Sequence, residues 1–118
     1  GPAASRHALE ALAAELGDGR WPAAVAGEVW SALALARAAD VEIDPELAHA
    51  AAVEASIHLP VERAAEVLRR TAIELHERGA PAADALVRQT LRAADRLGGS
   101  PDPELADRLR QVSEKMLG

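Results

Sequence analysis

The stretch from Leu59 to Gly79, LPVERAAEVLRRTAIELHERG, decides the fold class of this chain. Val61, Ala65, Leu68, Ala72 and Leu75 recur at a 4-3-4-3 spacing, the period of one helix face. Glu66–Arg70 and Glu74–Arg78 stand four apart with the acid leading, a pairing that supports a solvent-facing side. Leu59-Pro60 opens the helix, at a position where a missing N–H costs nothing, and Gly79 closes it. Val67 and Ile73 break the pattern, lying off the stripe beside charged residues. Either this helix is wedged between neighbours or that side is a partner surface.

Composition carries the reading outward. The 118 residues are 49% hydrophobic and about a quarter alanine, with no Phe, Tyr or Cys, so Trp21 and Trp30 are the only aromatic side chains. An aliphatic, alanine-rich core implies an all-α protein, and the length suits one domain. A net charge of −6 disfavours nucleic acid and anionic membrane surfaces as partners. The longest uncharged run, Val29–Ala36, is far shorter than a membrane span. Lack of cysteine removes disulfides and thiolate metal sites and suits a reducing cytoplasm, the expected location. Arginine far outnumbers the single Lys115, a bias expected of a GC-rich, bacterial genome.

The rest of the chain is punctuated as helices too, about six in all, giving a compact bundle. Gly1-Pro2 reads as the remnant of a cleaved tag, and residues 1–4 are set apart as a disordered start before a single helical domain over 5–117. The first helix is predicted from a Ser5 N-cap to Leu16, stopping at Gly17-Asp18-Gly19. The second opens at Pro22 and runs to about Ala39; with Val25, Val29, Trp30, Leu33 and Leu35 spread around it, it is expected to be central and mostly buried. The third starts at Asp44-Pro45 and is expected to turn Leu47, Ala50, Val53 and Ile57 inward. The fifth is predicted over Pro81–Leu97. The sixth begins at Asp102-Pro103, with Leu105, Leu109, Val112 and Met116 on one side.

Two segments are nearly alike: RAADVEIDPELA at 37–48 and RAADRLGGSPDPELA at 92–106. One reading is shared helix grammar, in which Asp caps, Pro fixes φ in the first turn and Glu meets the positive helix end. The other is duplication, relating 5–58 to 61–117 as two three-helix units or a short α-solenoid. The segment 45–117 also resembles tetratricopeptide-type helical hairpins in its PELA opening and AIELHERG ending. It lacks that family's repeat of about 34 residues and its aromatic signature, so no family is assigned.

No residue pattern organises catalysis, a cofactor or a metal. Glu54 and His58 are four apart on one helix face, which reads as a surface ion pair rather than half a metal site. The acids Asp40, Glu42 and Asp44 alternate like the start of a calcium loop, but Pro45 and Ala51 occupy the positions that need Gly and Glu. Val41 and Ile43 are expected to tuck inward between them. The expected function is therefore a non-catalytic protein–protein interaction module, an adaptor, docking or oligomerisation domain, whose partner is another protein or a second copy of itself. Candidate partner-surface residues are Trp21, Val67, Ile73, Leu105, Leu109, Val112 and Met116. The alternative is a small-molecule sensor with a pocket around Trp30.

Overall fold

A computed structural model of the chain describes residues 2–79 and 83–117. Six α-helices succeed one another, with no strand among the described residues: α1 (Pro2–Glu15), α2 (Ala23–Ala39), α3 (Pro45–His58), α4 (Val61–Glu77), α5 (Asp84–Leu97) and α6 (Pro103–Leu117). A short 3₁₀ turn over Leu16–Asp18 carries the chain out of α1. Residues 2–4 are helical, so α1 starts ahead of the expected Ser5 cap. The expected opening of the fifth helix at Pro81 lies outside the described residues.

Local chemistry places the helix starts. Asp44 accepts a hydrogen bond from the Glu46 N–H at 2.9 Å, and Asp102 accepts one from the Leu105 N–H at the same distance. The repeated Asp-Pro-Glu-Leu-Ala is thus a working cap in both places. The two helices so capped pack differently: α3 lies along α2, whereas the main neighbour of α6 is α4.

The buried spine is α4 rather than α2. Ala64, Ala65, Val67, Leu68, Thr71, Ala72, Ile73 and Leu75 are buried around much of its circumference, because α2, α3, α5 and α6 all pack on it. Of the large residues of α2, only Leu33 is fully buried; Val25 is exposed, and Val29, Trp30 and Leu35 are half-buried. Two apolar clusters meet on α4. One gathers Ala13, Leu33, Ala52, Leu59, Val67 and Leu68; the other gathers Ile73, Leu75, Leu86, Val87, Leu105 and Val112.

The contact between α2 and α3 is built from the smallest side chains. Gly27, Ser31, Ala34 and Ala38 are buried on α2, and Ala48, Ala51, Ala52 and Ala55 on α3. A Cβ on Gly27 would stand 2.5 Å from Cδ2 and 2.6 Å from Cγ of Leu59, so the bare backbone of α2 there makes room for the Leu59 side chain at the end of α3. From α3 the alanines face the core, the reverse of the expected orientation. Leu47, Val53 and Ile57 point away from the core and are 47%, 37% and 69% exposed, with Ala50 exposed between them.

Arginines fasten the helix ends. Arg78, expected to pair with Glu74, instead reaches the end of α2, donating to the Ile43 carbonyl at 2.6 Å and to those of Arg37, Ala38 and Val41 at 3.3–3.4 Å. A cation there meets the negative end of the α2 dipole. Arg37 holds Glu10 across α1 and α2, its Nε donating at 2.9 Å, and Arg6 holds Asp40 at 3.1 Å. The bonded Arg37 keeps the Glu10 carboxyl below the usual carboxylate range. Val41, expected to tuck inward, is exposed on this turn.

Gly27→Ala isolates the close approach. Helix propensity alone favours alanine by about 1 kcal/mol, but overpacking costs about 1–3 kcal/mol. The expected net outcome is a loss of about 1 kcal/mol and a melting temperature lower by a few degrees. Gly17→Ala, where an added Cβ meets nothing within 4 Å, should be neutral or mildly stabilising in the same thermal melts.

Candidate functional site

The expected partner-surface residues separate by burial. Val67 and Ile73 are each 1% exposed, wedged between α4 and its neighbours, and Leu105 and Val112 are buried as well. Leu109 and Met116 are half-buried against the same cluster, so α6 closes the bundle with this face. This set is therefore committed to the chain's own core. Trp21 alone remains in the open, at 40% exposure.

The free apolar surface lies instead on α3. Leu47, Ala50, Val53 and Ile57 succeed one another along its outer side, with Glu46 and Glu54 interspersed on the same side. Val61 continues the exposed apolar surface into the first turn of α4. Helical periodicity picks out these residues but assigns them to the core. The overlooked signal is the run of alanines on the opposite side, Ala48, Ala51, Ala52 and Ala55, which is the side α3 buries.

At the C-terminal end of α3 the surface dips into a cleft of about 330 Å³. Leu16, Gly17 and Gly19 form one side; Trp21, Ala23, Ala26 and Trp30 form the next; Glu54 and His58 come from the last turn of α3. Gly19 holds φ at 75°, which lets the chain turn back from the 3₁₀ segment into α2. His58 Nε2 and Glu54 Oε1 are 3.4 Å apart. Trp30, on the helix expected to be mostly buried, rests one side on the first cluster and lines the cleft with another. On its outer side Trp21 shares a shallower hollow with Arg20.

Two further depressions are differently lined. Leu9, Val25 and Val29 border an apolar groove between α1 and α2. Arg63, Glu66, Arg69 and Asp102 border a polar one; there Arg63 bridges Glu28 at 2.7 Å and Glu66 at 2.6 Å, joining α2 to α4.

The titratable groups are mostly engaged in structure. Asp40 accepts from the Glu42 N–H at 3.0 Å, Asp44 caps α3, and neither is aimed at a shared point. His7 is exposed beside Arg6. His49 Nδ1 lies 2.7 Å from Thr90 Oγ1, whose hydroxyl donates to the Leu86 carbonyl; the imidazole must then be the donor to Thr90. Among the described residues no three His, Asp or Glu side chains are grouped to hold a metal, and no helix is long and apolar enough to cross a membrane. Compared with protein-family models, curated proteins and solved structures, the chain has no match.

Burial pushes the His49 imidazole down from its ordinary value, against a smaller upward pull from Glu46. The neutral form is the one the fold favours. Stability from this group is therefore complete above the unfolded-chain pKa, about 6.5, and is lost as pH falls below it, where the unfolded chain takes up the proton first. Thermal melts at pH 7.5 and 5.5 should show a drop in wild type that is smaller in His49→Gln. An equal drop in both would remove His49 as its source.

Proposed function

We propose that this chain is a non-catalytic protein–protein interaction module that docks a partner on the outer face of α3. The carrying observation is the inverted helix: alanines face the core while Leu47, Val53 and Ile57 face solvent. Such side chains are costly to leave in water, and adjacent apolar ones on a regular helix form the surface that a partner helix covers. Glu46 and Glu54 on the same side, on a chain of net charge −6, fit a partner carrying basic residues better than a second copy of this acidic protein. The partner class is accordingly another protein, presenting an amphipathic segment that carries basic residues.

A second reading, a helical domain that binds a small molecule, draws support from the cleft beside Trp30. Apart from Glu54 it uses different residues, and it is separable by mutation.

Affinity capture from source-cell extract tests the docking reading with wild type, Leu47→Ser/Ile57→Ser and the surface control Gln111→Ser. Substitution at these exposed positions should leave the stability within about 0.5 kcal/mol of wild type per site. At least one protein should be retained by wild type and control and lost with the double variant. Capture that is unchanged by the double variant, or no specific capture at all, would contradict the reading.

A further inference from the structure

We propose that the cleft between Trp21, Trp30 and the last turn of α3 binds an organic cation of the alkylammonium class. Three independent features converge there. The chain has only two aromatic side chains, and both line this one cleft. Indole is the side chain that attracts a cation most strongly through its ring quadrupole. Glu54 is the only Asp, Glu, Lys or Arg among the described lining residues; its partner there is His58, at 3.4 Å. Finally, α3 ends at His58, so the negative end of its dipole is presented beside that carboxylate.

These features also select against other ligands. An anion would face both Glu54 and the helix C-terminus. A neutral flat ring would gain the tryptophans but leave the carboxylate to be desolvated without compensation. An alkylammonium uses both: its methyl or methylene groups displace water from Leu16, Ala23 and Ala26, and its charge meets Glu54. A volume of about 330 Å³ accommodates such a headgroup. The same chemistry is offered by a free quaternary amine or by a methylated lysine on a peptide.

Because the two indoles are the chain's only aromatic groups, intrinsic fluorescence reports the cleft directly. The full chain is titrated with choline, with a capped trimethyllysine, and with 3,3-dimethylbutan-1-ol, the uncharged isostere of choline, at constant ionic strength. Saturable change with at least one cation, absent with the alcohol, supports the proposal. Preference for choline marks a free small molecule as the natural source; preference for the capped trimethyllysine marks a peptide. Glu54→Gln should weaken the response about tenfold, which is 1.4 kcal/mol, and Trp21→Leu should weaken it comparably, both at exposed or half-exposed positions that leave the fold intact. Leu47→Ser/Ile57→Ser should bind the cation normally, which keeps this site distinct from the α3 docking face. Equal response to the alcohol, no saturation with either cation, or full binding by both Glu54→Gln and Trp21→Leu would overturn it.

Discussion

The closeness of α2 and α3 is the constraint on which the rest of the architecture depends. On α2 the buried residues include Gly27, Ser31, Ala34 and Ala38, on α3 they are all alanine, and Gly27 leaves room for the Leu59 side chain where α3 ends. Once Ala48, Ala51, Ala52 and Ala55 are inside, helical geometry leaves Leu47, Val53 and Ile57 no choice but the opposite side. Those residues give the core little and the surface a great deal of apolar area. The same packing sets Glu54 and His58 beside the first turns of α2, where Trp30 and the turn before Trp21 complete a cleft.

Energetically the arrangement is divided. The α2–α3 contact relies on close packing of small groups, so it is intolerant of added volume. The larger apolar residues are concentrated on α4, whose Val67, Leu68, Ile73 and Leu75 tie both clusters together. Arg78, Arg37 and Arg63 then satisfy backbone carbonyls and carboxylates where helices end or cross. Pairs of this kind at half-exposed sites contribute modestly each; their main effect is to fix how the helices meet.

Much of this is legible in the residues. Asp44-Pro45 and Asp102-Pro103 mark helix starts, Gly79 and Gly98 mark stops, and the described residues form an all-α bundle of six helices as the composition implies. The orientation of α3 is not legible, because hydrophobic periodicity weighs leucine and isoleucine above alanine. Which side of such a helix is buried depends on the neighbour it meets, and α2, whose buried residues include Gly27, Ser31, Ala34 and Ala38, is that neighbour. For the same reason α2 reads as the central helix. Its exposed Val25 and half-buried Val29 show that spread-out apolar residues do not identify the spine. Val67 and Ile73 are unusual in the pattern because α4 has neighbours on several sides. Trp21 sits in a loop and Trp30 within a helix, yet they share one cleft in the fold, a juxtaposition that no spacing rule encodes.

The chain contains no cysteine, so single introduced thiols report burial without background. Comparing the labelling rates of Ile57→Cys and Ala52→Cys in the folded protein tests the inverted helix most directly. The thiol at position 57 should react at the rate of an exposed site, and that at position 52 should react only after unfolding. A protected position 57 with a reactive position 52 would mean that α3 packs by its large residues, and the outer face described for it would not exist.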